Sequence, residues 1–271
     1  MVSSDHDYLN YDYPPHRLEL RERSWDRSKE LIIFDELHKM RGWKSWLKGI
    51  WDVEGPRPSL LVTGSARLDT ARKTGDSLAG RFFQFRLHPF DLKEVKAVIA
   101  PEDAFSRIMR VGGFPEPFLE NNEEFHARWQ KSHTDVILRQ DLIDLESVRD
   151  ISSIETLIEL LKQRVGSPVS FSSLARDLER DPNTVKRWLV LLENLYVIFP
   201  VRPYHRNVAR SILKEPKYYF YDTALVKDDH GSRFENLCAC ALLKEVHFIL
   251  DCAGRRSQPR LRAFLTILCR G

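Results

Sequence analysis

Four apolar residues run directly into two carboxylates at residues 31–36, Leu-Ile-Ile-Phe-Asp-Glu. A short, continuous apolar run of this kind is typical of a strand that is buried on both faces of a parallel sheet. Such a strand presents the polar residues that follow it, here Asp35 and Glu36, at the carboxyl edge of the sheet. The structural alternative is a strand end that meets the cap of the next helix.

Two further apolar runs, at residues 60–62 and 82–87, predict two more strands. Between the first two runs, apolar residues recur at the spacing of an amphipathic helix: Trp43, Trp46, Leu47 and Ile50. Strands that alternate with helices predict an α/β fold with a parallel sheet covered on both faces. Thr63 and Ser65 follow the second strand and would lie beside the acids, although Ser65 also fits the N-cap of a following helix.

The composition is that of a globular chain, since 42% of the 271 residues are hydrophobic and 30% are charged. The net charge of +3 does not by itself indicate a nucleic-acid partner. No apolar run approaches the roughly 18 residues that span a bilayer, and the N-terminus lacks the apolar core of a signal peptide. We therefore expect a cytoplasmic location and no membrane partner. The cysteines lack a zinc-like spacing, which predicts reduced thiols.

The two acids suit the hydrolysis of a nucleotide, in which Asp35 would bind Mg²⁺ through water and Glu36 would polarise the attacking water. This chemistry needs a phosphate-binding loop of the form G-x-x-x-x-G-K-[ST], and the sequence contains none. The nearest match, residues 75–82, has Arg81 and Phe82 in place of the lysine and the hydroxyl. An apolar, β-rich run follows it rather than a helix. Arg81 could instead bring a positive charge to the γ-phosphate, or cap a surface loop.

A series of motifs occurs in a fixed order: LIIFDELHKM, the W-x-x-W-L-K-G that begins at Trp43, LLVTGSARLD, GDSLAGRFFQFRLHPF, GGFPEPF, YYFYDT and FENL. Together they closely resemble a group of bacterial and archaeal AAA+-related P-loop ATPases that carry a C-terminal region called DUF4143. The resemblance covers about residues 8–250. It implies ATP and Mg²⁺ as cofactors and the following site residues: Asp35 for magnesium-bound water, Glu36 for the attacking water, Ser65 or, failing that, Thr63 as the γ-phosphate sensor, and Arg81 as an arginine finger.

The resemblance also implies four domains. These are a partial P-loop ATPase sheet at residues 1–90, a helical lid at 91–150, a winged helix at 151–205 and a partial DUF4143 domain at 206–271. In the family the phosphate loop lies upstream, so we expect this chain to start inside the ATPase domain. Family members also continue into nuclease-like strands that residues 251–271 do not match, which favours structural roles for Asp222 and Glu235 over metal binding.

Residues 151–203 predict three helices followed by a strand, which is the order of a winged helix-turn-helix. Its recognition helix would begin near residue 181 and present four polar residues to DNA: Asn183, Thr184, Lys186 and Arg187. Other cations could contact phosphates: Lys162, Arg164, Arg176, Arg202 and Arg206. The alternative is a winged helix that serves only to pack domains together.

The sequence thus predicts an AAA+-family nucleotide-binding protein whose ATP hydrolysis is weak or lost, because no phosphate loop neutralises the nucleotide. A DNA-binding or scaffold protein that acts through the winged helix is the alternative, and a fragment without a stable fold is a third hypothesis. Nucleotide, DNA and further copies of the chain are the expected partners.

Overall fold

The computed structural model describes residues 5–64, 78, 81–83, 85–136, 150–204, 214–226 and 229–253, the last five without their side chains. The chain divides into two compact units, Met1–Phe83 (unit 1) and Gln84–Gly271 (unit 2). In the part of the chain described, no helix is both long and apolar enough to cross a membrane.

The described residues of unit 1 form a parallel sheet of three strands with two helices. Its elements are β1 (His6–Asn10), α1 (Pro14–Glu22), β2 (Leu31–Asp35), α2 (Trp43–Glu54) and β3 (Ser59–Val62). The strand order is β1-β2-β3, with Tyr8 opposite Ile33 and Ile33 opposite Leu61. The predicted parallel sheet and its central strand are therefore confirmed.

The core of unit 1 forms around the apolar run that defines β2. Ile32 and Phe34 are fully buried, and Leu47 and Ile50 of α2 belong to the same cluster. Trp25 packs edge-to-face on Phe34, with ring centroids 5.1 Å apart. Because this packing fixes the centre of the sheet, the residues at the end of β2 have defined positions.

The strand predicted at residues 82–87 is wrong. The described residues of this stretch, 82–83 and 85–87, have no strand conformation. Phe83 is 85% exposed and Leu87 fully exposed, so the apolar side chains do not join a sheet. The boundary between the two compact units also falls here. An apolar run forms a strand only where it finds a partner, and the run alone cannot show that.

Unit 2 is mostly helical. Its elements are α3 (Leu92–Val95), α4 (Pro101–Val111), α5 (Pro115–Glu120), α6 (Glu123–Val136), α7 (Ile151–Lys162), α8 (Phe171–Asp177), α9 (Pro182–Asn194), β4 (Ile198–Val201), β5 (Lys217–Phe220) and α10 (His230–Ala253). A cluster of buried residues joins the early helices to α10: Val95, Ala104, Ile108, Met109, Phe118 and Leu237.

Helices α7, α8 and α9 lead into an antiparallel pair, β4 and β5. The Asp181 side chain accepts the N–H groups of Asn183 and Thr184 at 2.8 and 3.2 Å and thereby caps α9, which begins where the sequence predicts. Ser170 precedes α8 but makes no side-chain cap. Strand β4 follows α9 and begins at Ile198.

Helix α10 forms hydrogen bonds with both early and late segments of unit 2. Arg233 donates to the backbone oxygens of Met109 and Val226 at 3.0 and 2.9 Å. Lys244 donates to the backbone oxygen of Pro89 at 3.1 Å. Asn236, which is fully buried, bonds both the N–H and the C=O of Phe220 in β5. These contacts tie α10 to segments that precede it by up to 155 residues.

Candidate functional site

The predicted acid and the residue after the neighbouring strand meet at the carboxyl edge of the sheet. Phe34 pairs with Val62, which places Asp35 beside Thr63. The N–H of Thr63 donates to the Phe34 oxygen at 3.0 Å, and its hydroxyl donates to Oδ1 of Asp35. The structure therefore brings together two of the predicted site residues.

Strand β1 contributes two further donors to Asp35 that the sequence reasoning missed. Tyr8 donates its hydroxyl hydrogen to Oδ2 at 2.5 Å, and the amide of Asn10 donates to the same oxygen at 3.0 Å. The backbone N–H of Glu36 donates to Oδ1 at 3.1 Å. Tyr8 and Asn10 are two residues apart on a strand and so share one face, a spacing that could have identified them.

These bonds favour the charged form of Asp35. Burial raises the pKa of its carboxyl group, but hydrogen bonds from Thr63, Tyr8, Glu36 and Asn10 outweigh burial and lower the pKa below its usual value. The same contact raises the pKa of the Tyr8 hydroxyl, chiefly through the bond to Asp35. The carboxylate is thus held ionised by a set of protein donors.

Glu36 has a strained backbone and a charged neighbour. Its φ of 56° lies in the left-handed region, which costs a residue other than glycine about 1–2 kcal/mol. Its Oε2 lies 3.2 Å from Nζ of Lys39, which also bonds Asp12 at 2.5 Å. The carboxylate that would polarise the attacking water is thus paired with a lysine.

The other two predicted site residues do not add to this group. Arg81 donates through Nε to Asp52 at 3.1 Å, so its charge is paired with α2. Ser65 lies outside the described residues. The gathered site consists of Asp35, Glu36 and Thr63, with Tyr8 and Asn10 around them.

The arrangement around Asp35 does not fit a magnesium-bound water. A carboxylate has about four lone-pair directions. Thr63 Oγ1 and Glu36 N use Oδ1, while Tyr8 and Asn10 use Oδ2. Within the described segments, no group of three or more His, Cys, Asp or Glu side chains could hold a metal ion directly. A magnesium-bound water would have to displace one of the present donors.

The predicted DNA-contacting residues lie together at the start of α9. Asn183, Lys186 and Arg187 are exposed. Arg187 donates to the Thr184 hydroxyl at 3.3 Å, and Lys186 lies over the ring of Phe171, 5.5 Å from its centroid. This end of the helix therefore presents two positive side chains and two polar ones.

Two of the cations predicted to contact phosphates are paired with acids of unit 2. Lys162 bonds Glu159 at 2.6 Å, and Arg164 bonds Asp177 at 2.5 Å. Arg176 is exposed, Arg202 has a further interaction, and Arg206 lies outside the described residues. The positive surface of this region is therefore smaller than the sequence suggests.

Asp222 and Glu235 have structural partners. Asp222 is buried and accepts the N–H of Ala224 at 3.1 Å. Glu235 accepts from the hydroxyl of Tyr219 at 2.7 Å and lies 3.4 Å from Nζ of Lys217. Cys238 and Cys240 are not joined in a disulfide. Cys252 and Cys269 lie outside the described side chains, so the reduced state of the four cysteines stays a prediction.

Comparison with known proteins gives the class of unit 1. Residues 3–96 match a family model described as an AAA domain, so this part of the chain has an AAA+-related P-loop fold. Residues 102–229 match a domain of unknown function, DUF8612. That match does not show the DUF4143 region expected from the sequence.

Similar proteins occur in bacteria and archaea. The uncharacterized protein Rv2008c of Mycobacterium tuberculosis is 26% identical over 196 residues, covering 72% of this chain and 43% of the relative. An uncharacterized protein of Haemophilus influenzae is 23% identical over 247 residues, covering 83% of this chain and 61% of the relative. The chain thus spans about half the length of these curated relatives. A mutant RuvB from Thermogota maritima is 15% identical with a TM-score of 0.31, covering 72% of this chain and 73% of that one.

Proposed function

We propose that unit 1 is an AAA+-type nucleotide-binding module in which Asp35, Glu36 and Thr63 form the acid and sensor edge. We further propose that these 271 residues hydrolyse ATP weakly or not at all. The AAA-domain match over residues 3–96 supports the first part. The observation that carries the second part is the carboxylate of Asp35, whose oxygens accept from Tyr8, Asn10, Thr63 and the N–H of Glu36.

Weak hydrolysis follows from the charges at this edge. An acid that already accepts from four protein donors must give one up before it can accept from a magnesium-bound water, and that exchange costs free energy. Glu36 is paired with Lys39. The sequence also contains no G-x-x-x-x-G-K-[ST] motif to bind the β- and γ-phosphates. ATP would therefore meet two carboxylates with little compensating positive charge.

The test is the release of phosphate from ATP and Mg²⁺ by the purified 271-residue chain, together with binding of a fluorescent ATP analogue. We expect weak binding, and turnover at the background rate that Glu36→Gln leaves unchanged. Glu22→Gln, on the exposed face of α1, is the matched control. Turnover that Glu36→Gln abolishes and Glu22→Gln preserves would refute weak hydrolysis.

A second candidate function is DNA binding through a winged helix formed by α7, α8, α9, β4 and β5. It is supported by the order of these elements and by the exposed polar start of α9. We expect duplex binding that weakens with salt and falls about tenfold when Lys186 and Arg187 are both replaced by Ala. The control replaces Arg128 and Lys131 of α6, which are also exposed. Equal losses in both variants, or no loss in either, would count against DNA binding and leave a scaffold role.

Four further assignments, for the C-terminal tail, the oligomeric state, the location and Arg81, are also proposals. A DUF4143-like, partly nuclease-related tail after residue 206, assembly into a homo-oligomer and a cytoplasmic location stay predictions. Arg81 could act as an arginine finger only after release from Asp52. Measuring the mass of the protein in solution tests the oligomer, and Arg81→Ala tests the finger in any assembly that hydrolyses ATP.

A further inference from the structure

Two histidines of unit 2 face each other through their ring nitrogens. His88 precedes α3, and His247 lies in the second half of α10, 159 positions later. Nε2 of His88 lies 2.9 Å from Nδ1 of His247, and the ring centroids are 5.0 Å apart. Neither the nucleotide proposal nor the DNA proposal uses this pair.

A neighbouring contact on α10 fixes the position of the pair. Lys244 lies one helical turn before His247 and therefore on the same side of the helix. It donates to the backbone oxygen of Pro89, the residue after His88, at 3.1 Å. Two successive residues of one segment thus contact two successive turns of α10.

The segment that carries His88 is also held from its other side. The N–H of Phe90 donates to the backbone oxygen of Gly113 at 2.7 Å. The ring of His88 lies beside that of Tyr221, with centroids 5.9 Å apart. The fold of unit 2 therefore brings the two imidazoles together through contacts other than their own hydrogen bond, as a preorganised site requires.

Two imidazole nitrogens at this separation are close to the geometry of a metal chelate. A zinc ion binds histidine nitrogens at about 2.0–2.1 Å, so two such ligands of a tetrahedral site lie about 3.3 Å apart. The nitrogens of His88 and His247 need to separate by only about 0.4 Å, together with a rotation of both rings. The ring that donates the present hydrogen bond must also carry its proton on its other nitrogen.

Solvent reaches both histidines. Each is partly exposed, in contrast to the buried residues of the core. In the part of the chain that the structure describes, no group of three or more His, Cys, Asp or Glu side chains could hold a metal ion. The protein would consequently supply two ligands, and water would complete the coordination.

The charges around the pair are balanced. The two segments that carry the histidines, residues 86–94 and 244–247, contain three cations and three acids: Arg86, Lys93, Lys244, Asp91, Glu94 and Glu245. Lys244 lies 3.2 Å from Oδ2 of Asp91 and also bonds Glu94. Lys93 bonds Glu245. A divalent ion would therefore meet no net charge of either sign from these segments.

Two protein ligands give a moderate affinity. Burial lowers the pKa of His88, and the neighbouring cations act in the same direction. A metal ion meets the same cations, so tight binding is not expected. Two ligands supply roughly half of the binding free energy of a structural zinc site with four ligands, which corresponds to a dissociation constant of about 1–100 μM.

We propose that His88 and His247 form a reversible site for a divalent transition-metal ion that prefers imidazole, such as Zn²⁺, Cu²⁺ or Ni²⁺. The bound ion would join α10 to the segment before α3 and would thereby stabilise unit 2. The competing explanation is a hydrogen bond between two neutral rings that contributes to folding alone.

The test is calorimetric titration of the chelator-treated full chain with Zn²⁺, and separately with Ni²⁺. We expect one Zn²⁺ ion to bind in the micromolar range, and an excess of Mg²⁺, which prefers oxygen ligands, not to displace it. His88→Gln and His247→Gln should each weaken binding at least about tenfold, because each removes half of the protein ligands. His230→Gln, at the exposed start of α10, is the matched control and should bind like the parent.

Thermal unfolding and NMR separate this site from binding at other side chains. Zn²⁺ at about 100 times its dissociation constant should raise the melting temperature of the parent by about 5 °C. His88→Gln keeps a hydrogen-bonding side chain, so we expect it to fold and its melting temperature not to respond to Zn²⁺. In histidine nitrogen spectra, Zn²⁺ should shift the ring signals of His88 and His247 and leave those of His230 unchanged.

Three results would overturn the proposal. The first is that neither Zn²⁺ nor Ni²⁺ binds the parent at concentrations up to about 1 mM. The second is that His88→Gln or His247→Gln binds as tightly as the parent, which would assign the ion to other side chains. The third is that the ring nitrogens of His88 and His247 do not shift when the ion binds.

Discussion

Tyr8 donates its hydroxyl hydrogen to Oδ2 of Asp35 at 2.5 Å, across the first two strands of the parallel sheet. Tyr8 is 43% exposed, so solvent reaches this edge of the sheet. The carboxylate that ends the central strand therefore accepts its hydrogen bonds from other residues of the protein. Removing individual donors can show how strongly these bonds stabilise its charged form.

Replacing Tyr8 by Phe should raise the pKa of Asp35. The substitution keeps the ring and removes one of the hydrogen bonds that favour the charged carboxylate. The pKa can be followed by NMR titration of the carboxyl carbon, with Tyr13→Phe as control because Tyr13 is exposed and lies outside this group of donors. An unchanged pKa would show that the Tyr8 bond does not stabilise the carboxylate.

Replacing Asp222 by Asn should change how the stability of unit 2 depends on pH. The pKa of Asp222 is about 6 in the folded protein and about 4 when unfolded. The folded state therefore binds more protons between these values, and the parent loses stability as pH rises from about 4 to about 6. The variant should lack this loss. Its free energy of unfolding relative to that of the parent should therefore rise with pH, by about 2 kcal/mol once the pH exceeds 6.

Urea unfolding of parent and variant at several pH values measures this difference. Asp103→Asn, at the exposed start of α4, is the control for removal of an acid elsewhere in unit 2. Parallel pH profiles for parent and Asp222→Asn would contradict the raised pKa.

His88 should give unit 2 a pH dependence of the opposite sign. Burial lowers the pKa of His88 to about 4, and the charges of His247, Lys244 and Arg86 act in the same direction. The charge of Asp91 acts in the opposite direction. His247 lies 2.9 Å away, nitrogen to nitrogen. The unfolded state, with a pKa of about 6.5, binds more protons in this window. The stability that neutral His88 contributes is fully present above pH 6.5 and is lost as the pH falls toward 4.

Replacing His88 by Gln should remove this loss of stability at low pH. His230→Gln, at the exposed start of α10, should leave the loss unchanged. Thermal unfolding between pH 4 and 7 is the measurement. If His88→Gln retains the full loss of stability in acid, another group is responsible.

Replacing Gly112 by Ala should destabilise unit 2 more than the same change at Gly42 destabilises unit 1. Both residues have a φ of 77°, so both substitutions carry the strain of the left-handed region. A Cβ at residue 112 would clash with Asp222 at 2.2 Å, whereas a Cβ at residue 42 meets nothing within 4 Å. We expect a loss of about 1 kcal/mol at Gly42 and more than about 2 kcal/mol at Gly112 by urea unfolding.

The sequence predicts the centre of unit 1 well because local and tertiary signals agree there. Residues 31–34 form a continuous apolar run, which is typical of a strand with partners on both sides. Asp35 follows the run, so its place at the sheet edge can be read directly. The cap at Asp181 is equally local, since the side chain bonds N–H groups two and three residues away.

Contacts between distant segments account for what the sequence does not predict. Tyr8 and Asn10 lie 25 to 27 positions before Asp35 on another strand, so the acidic motif itself does not indicate them. Residues 82–87 look like a strand but have exposed side chains. Gln130 and Asp222 line one cavity of unit 2, and only the folding of the unit brings them together.

The long helix α10 has a consequence for how unit 2 is made. Its Arg233, Lys244 and His247 contact Met109, Pro89 and His88, so the contacts that complete the unit span 124 to 159 positions. Contacts between such distant positions slow folding, because a long loop must close before they form. During synthesis the cluster that holds Ile108 and Phe118 therefore stays incomplete until α10 supplies Leu237.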